Sequence, residues 1–182
     1  SPNGEKILFV AHKNSTTDLY VMNVNGQDIK KLTTNDFDTQ IITPFWSPDG
    51  GKIVYAESGA DGNLDLYITQ IESGEKTQIT NSREGDFLPI WHPIGDKISF
   101  TGLYDYTPNL FTYDIETGGI VQNTDIGDAV MGIQWNSKSS TITAMTLPTV
   151  DSSRVVSIDP KRIATKTQMN INPGYSSWRT KV

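Results

Sequence analysis

Phe45-Trp46-Ser47-Pro48-Asp49-Gly50-Gly51-Lys52-Ile53-Val54-Tyr55 reads as an aromatic pair, a tight turn and a strand in succession. Pro48 presets φ at the second turn position, Asp49 carries a carboxylate that can bond its own backbone, and Gly50 takes a positive φ without a Cβ penalty. From Lys52 to Ala56 the alternation puts Ile53 and Tyr55 on one face and Val54 on the other. A strand that is apolar on both faces belongs where both faces are covered.

The stretch recurs. Trp46, Trp91, Trp135 and Trp178 stand 45, 44 and 43 residues apart. Ser47-Pro48-Asp49-Gly50 follows the first, His92-Pro93-Ile94-Gly95 the second, and Asn136-Ser137-Lys138-Ser139 the third, while the chain opens on Ser1-Pro2-Asn3-Gly4. A second strand follows each turn: Asp18 to Met22, Asp65 to Ile68, Asn109 to Tyr113, Arg154 to Ile158. Asn25-Gly26, Ser73-Gly74, Thr117-Gly118-Gly119 and Asp159-Pro160 then turn the chain into a third: Ile29 to Thr33, Thr77 to Thr80, Ile120 to Thr124, Ile163 to Gln168. A polar loop leads to a fourth strand ending at the tryptophan: Gln40 to Trp46, Phe87 to Trp91, Val130 to Trp135, Tyr175 to Trp178. Four short strands per repeat at this period predict an all-β propeller of four-stranded antiparallel blades.

The tryptophan, Ser-Pro-Asp-Gly, Lys52-Ile53-Val54-Tyr55 and Asp65-Leu66-Tyr67 resemble the repeats of TolB-type (WD-repeat-like) β-propellers, and those of tricorn-like and prolyl-oligopeptidase-like propellers. The resemblance covers residues 1–182, read as one propeller domain or as a propeller fragment with repeats ending at Trp46, Trp91, Trp135 and Trp178. It implies a non-enzymatic scaffold that engages a protein or a basic peptide, in the periplasm or otherwise outside the cytoplasm. Two alternatives stay open: the non-catalytic propeller of a larger peptidase, and a carbohydrate-active propeller of the oligogalacturonate lyase type. The first repeat lacks its innermost strand, which the C-terminal segment Tyr175 to Val182 can supply. Closure within one chain gives a narrow four-bladed ring, and closure between two gives a homodimer with a double ring of eight blades.

Composition limits the functions further. The 182 residues suffice for one sizeable core, and Cys is absent, which excludes disulfides and thiolate metal sites. The formal net charge is −6, and Lys30-Lys31 and Lys161-Arg162 are isolated basic pairs, which argues against nucleic acid. No apolar run reaches the length of a membrane span. No cofactor or metal is expected. Asp61-Gly62-Asn63-Leu64-Asp65 has the alternation of a calcium loop, but its next residues continue a blade strand. Gly174-Tyr175-Ser176-Ser177-Trp178 approaches the nucleophile elbow but ends in tryptophan, with both His12 and His92 preceding it. His92 reads as a turn residue, and the sequon Asn14-Ser15-Thr16 lies in a hairpin loop.

One constellation has functional content. The loops that feed the fourth strands are acidic: Asp36 and Asp38, Glu84 and Asp86, Asp125 and Asp128. In propellers of the resembled type the strand ending at the tryptophan is innermost. The six carboxylates are therefore expected around one mouth of the central channel, where converging negative charge favours a cationic partner.

Overall fold

The computed structural model describes residues 1–13, 15–59, 61–136, 141–147, 153–160 and 170–171. The described residues form four antiparallel sheets in chain order. The first holds β1 (Lys6–Lys13), β2 (Thr16–Asn23) and β3 (Lys30–Lys31). The second holds β4 (Ile41–Trp46), β5 (Lys52–Ser58), β6 (Leu64–Gln70) and β7 (Lys76–Gln78). The third holds β8 (Asp86–Trp91), β9 (Lys97–Tyr104), β10 (Thr107–Asp114) and β11 (Ile120–Gln122). The fourth holds β12 (Ala129–Asn136), β13 (Thr141–Leu147), β14 (Arg154–Ile158) and β15 (Asn170–Ile171). Each four-stranded sheet is a simple meander, and β4, β8 and β12 lie side by side as the innermost strands of a fan of blades.

The core is three apolar layers, one in each joint between blades. Leu19, Val21 and Leu32 of the first sheet meet Ile41, Ile53 and Tyr55 of the second. Val54, Ala56, Leu66 and Ile79 meet Trp91, Ile98 and Phe100 of the third. Leu110 meets Val130, Ile133, Trp135, Ile142 and Val156 of the fourth. Ile53 and Val54 thus enter different layers, as their alternation requires.

The Ser47 turn forms as its residues dictate. Ser47 Oγ donates to Asp49 Oδ1 at 2.6 Å, Gly51 N–H donates to the same oxygen at 2.9 Å, and Gly50 N–H closes on the Ser47 carbonyl at 2.9 Å. Gly50 adopts φ +72, and a Cβ there would lie 3.7 Å from Pro2 Cδ; Gly95 at φ +80 stands in the same relation to Pro48. Successive turns therefore stack proline on glycine.

The third strands are shorter than the sequence suggests. Pairing stops at Lys31, Gln78 and Gln122 because the following threonines replace ladder bonds with their side chains. Leu19, Leu66 and Leu110 each donate their N–H to a threonine hydroxyl, Thr33, Thr80 and Thr124, at 3.0, 2.9 and 2.9 Å. The fourth sheet's outer strand is described at Asn170–Ile171, whereas Ile163 to Gln168 and the closing segment Tyr175 to Val182 lie outside the described residues.

Candidate functional site

The meander gives the array two ends. The tight turns 24–29, 47–51, 71–75, 92–96 and 115–119 lie at one end. The loops 32–40, 79–85 and 123–128 lie at the other, with the hairpin-tip residues 61–63 and 105–106. Backbone bonds fasten two of the long loops to hairpins beside them: Asp38 N–H to the Ser15 carbonyl and Ser58 N–H to the Gln40 carbonyl for loop 32–40, and Leu103 N–H to the Gly85 carbonyl for loop 79–85.

All six carboxylates singled out in the sequence belong to the loop end, but they are not equivalent there. Asp36, Asp38 and Asp125 are exposed. Asp128 is half-buried. Glu84 is half-buried and accepts the Tyr106 N–H at 2.9 Å. Asp86 is 5% exposed and lies in the joint between the second and third blades. Burial pushes its carboxyl above the ordinary aspartate value, a rise that the Thr80 and Ser82 hydroxyls reduce and Asp65 increases. Two aromatic side chains also stand in solvent at this end, Phe37 at 73% exposure and Tyr106 at 82%. Asp36 and Asp38 flank the first, and Asp105 precedes the second. Lys13, Arg83 and Arg154 are exposed basic residues of this end.

A polar clamp that the sequence reading did not identify positions these loops. In the first blade Asp18 Oδ1 accepts from Thr33 Oγ1 and from Asn35 N–H, both at 3.0 Å. In the second, Asp65 Oδ1 accepts from Thr80 Oγ1 at 3.4 Å and Ser82 N–H at 3.0 Å. In the third, Asn109 Oδ1 accepts from Thr124 Oγ1 at 2.9 Å. Each clamp joins the start of a second strand to the root of the loop that follows. Lys31 Nζ adds an ion pair to Asp18 at 2.8 Å. Burial pushes the Asp18 carboxyl up, but Lys31, the Asn35 N–H and the Thr33 hydroxyl outweigh it and hold the group below its ordinary value.

Each innermost strand also carries a β-bulge three residues before its tryptophan. The ladder register shifts between Ile42 and Phe45, Phe87 and Ile90, and Met131 and Gln134. Thr43, Leu88 and Gly132 take φ +50, +53 and +60 there. Such bulges bend a strand and re-aim its side chains. Pro44 and Pro89 are their trace in the sequence, because proline inside a strand is confined to edges and bulges.

The remaining candidates separate. His12 sits at the loop end of β1, where its Nδ1 lies 3.4 Å from Thr17 Oγ1, and His92 sits in a tight turn at the opposite end. His92 is more than a turn residue: it is buried, bonds Asp96 through Nδ1, and meets Trp135 edge-on with ring centroids 4.4 Å apart. Asp61 Oδ1 accepts the Asn63 N–H at 3.1 Å within an ordinary hairpin tip. Among the described residues no three His, Cys, Asp or Glu side chains are placed to hold a metal ion together. Gly174 to Trp178 and Asn14 lie outside the described residues.

Solved structures and curated sequences place this arrangement in context. TolB from Acinetobacter baumannii superposes with a TM-score of 0.73 at 20% identity, over 93% of this chain and 41% of that one. A puromycin hydrolase superposes at 0.70 and 19% identity, over 93% of this chain and 28% of the other. In sequence, the Tol-Pal system protein TolB of Alcanivorax borkumensis is 29% identical over 97 residues, 53% of this chain and 22% of that protein. The Francisella tularensis Tol-Pal system protein TolB is 30% identical over 110 residues, 59% of this chain and 25% of that one. The chain thus spans about a quarter of the length of these curated relatives. The family model PD40, TolB beta propeller domain, matches residues 1–177, and the chain belongs to that family.

Proposed function

We propose that this propeller is a non-catalytic binding scaffold whose loop end engages a protein or a basic peptide segment. The observation that carries the reading is the shared placement of Asp36, Asp38, Glu84, Asp125 and Asp128 at one end of the blades, with Asp86 drawn into the joint beneath them. Negative potential of this kind steers cationic segments and weakens as salt screens it. Relatives named for the Tol-Pal system support a protein partner and an extracytoplasmic setting. The carbohydrate-active reading needs histidines gathered at a metal, and His12 and His92 lie at opposite ends. The peptidase reading rests on fold likeness to proteins such as the puromycin hydrolase, and a hydrolase domain in the same gene would select it.

Chemical-shift mapping with an Arg/Lys-rich peptide tests the scaffold. Shifts are expected at loops 32–40, 79–85 and 123–128, with affinity falling as salt rises and falling again in an Asp36→Asn/Asp38→Asn/Asp125→Asn variant. Shifts confined to β3, β7 and β11, or none at low salt, would remove the reading. A homodimer closing a larger ring would show twice the monomer mass in light scattering, and a monomer at all concentrations excludes it.

A further inference from the structure

Five residues before the tryptophan, the three innermost strands carry Ile41, Asp86 and Val130. All three are buried, so one slot of one repeated strand holds an aliphatic side chain twice and a carboxyl once. The surroundings are fitted to that carboxyl. Gly102 of β9 stands opposite Asp86, and a Cβ there would lie 2.6 Å from Asp86 Oδ1; Glu57 and Thr146 hold the matching places in β5 and β13. From the second blade, Asp65 of β6 is the charged group that faces it, and Thr80 and Ser82 supply hydroxyls. Asp65 is already engaged by Ser82 N–H and Thr80 Oγ1 on one oxygen and by Gln78 Nε2 at 3.1 Å on the other. In the first blade the matching Asp18 has Lys31, whose place Gln78 takes here. A buried carboxyl thus stands beside a half-buried one, and among the described residues no cation is paired with either.

We propose that Asp86 is a proton-sensitive latch between the second and third blades. Neutral, it fills its slot as Ile41 and Val130 fill theirs, and a hydroxyl neighbour accepts its O–H. Ionised, with its proton released to solvent water, it places an unpaired charge beside Asp65 and draws water into the joint. The element it releases is the 79–85 loop. Ser82 ties that loop to Asp65, its hydroxyl accepts the Gly85 N–H at 3.0 Å, and the Gly85 carbonyl accepts the Leu103 N–H at 3.1 Å. Glu84 rides on the same loop, so protons decide how firmly one acidic residue of the loop end is held. The latch does not depend on what that end binds.

The direction follows from the raised carboxyl. A group whose folded pKa lies above its unfolded value favours folding most below the unfolded value, here 3.8, and that contribution is lost as pH rises through the folded value. Thermal midpoints of the full chain across pH, compared between wild type and Asp86→Asn, test this, together with amide exchange at Ser82 and Leu103. The wild type is expected to lose ground to Asp86→Asn as pH climbs from 3.8 toward neutrality, with Ser82 and Leu103 exchange rising beyond its intrinsic pH dependence. Parallel curves, or a wild type that gains on the variant with rising pH, would overturn the latch. Carbon-detected titration of the Asp86 carboxyl gives a readout that needs no variant: an inflection above 3.8 is expected, and one at or below it overturns the proposal.

Discussion

Trp91 and Trp135 hold the same place in successive blades, yet their indoles are treated differently. Trp91 Nε1 donates to the Phe45 carbonyl at 3.3 Å, the residue just before the preceding tryptophan. The matching acceptor for Trp135 is the Ile90 carbonyl, but the Trp135 indole N–H is buried with no partner among the described residues. The turns preceding them differ at three positions, Ser47 against His92, Asp49 against Ile94 and Gly51 against Asp96. Ser47 keeps its hydroxyl inside its own turn, bonding Asp49 and the Lys52 N–H. His92 also bonds within its turn, to Asp96 through Nδ1, but its larger ring reaches across to the Trp135 ring as well. A buried unpaired N–H costs about 1–3 kcal/mol, and an aromatic edge contact offsets about 0.5–1.5 kcal/mol of it. The same tryptophan in the same register is therefore satisfied differently in the two joints, and at Trp135 the ring of His92 stands where the Trp91 joint has none.

The largest effect is expected from removing the better-satisfied indole. Trp91→Ala should cost roughly 3–5 kcal/mol and abolish a single cooperative melt, whereas Trp135→Ala should cost less because its joint already contains an unsatisfied donor. Equal calorimetric midpoints for the two variants would break the comparison. Gly102→Ala tests the close fit of the joint at Trp91. Its Cβ would meet Asp86 Oδ1 at 2.6 Å and Phe111 at 2.9 Å, and a loss of about 1–3 kcal/mol in urea unfolding is expected from overpacking. Thr43→Asn asks whether the bulges store strain. Thr43 is β-branched at φ +50 with a buried hydroxyl that finds no partner among the described residues, while the matching Gly132 carries no such strain. Asparagine tolerates that backbone, and a gain of about 1 kcal/mol is expected; a loss would show that the hydroxyl serves an interaction. The smallest effect sharpens the comparison most. His92→Ser should return Trp135 to the Trp91 arrangement, seen as a downfield, slowly exchanging indole N–H resonance with little change in melting temperature.

The fold was legible because its signals are local. A proline-glycine turn, a tryptophan and an alternating strand lie within eleven residues, from Phe45 to Tyr55, and they repeat. The Asp18, Asp65 and Asn109 clamps were not legible, because each partner threonine lies 15 residues away and threonine is common in strands. Thr33, Thr80 and Thr124 recur at 47 and 44 residues, each 15 residues after an Asp or Asn that opens its second strand, which is the signal that would have found them. The acidic end was readable as charge in loops. Burial of Asp86 was half legible: its offset from Trp91 matches Ile41 and Val130 in other blades, but that the slot is buried follows only from packing between blades. His92 was half legible: its turn followed from Pro93 and Gly95, whereas its reach to Trp135 depends on packing between blades.

The stacking of Pro2 on Gly50 and of Pro48 on Gly95 has a geometric consequence. At the turn end, the spacing between neighbouring blades is gauged by one pyrrolidine ring against one bare Cα. At the loop end the blades are joined by the longer connections 32–40, 79–85 and 123–128. A wedge narrow at one edge and wide at the other fixes an angle, and repeating it fixes a curvature. Among the described residues that gauge is set twice, between the first and second blades and again between the second and third.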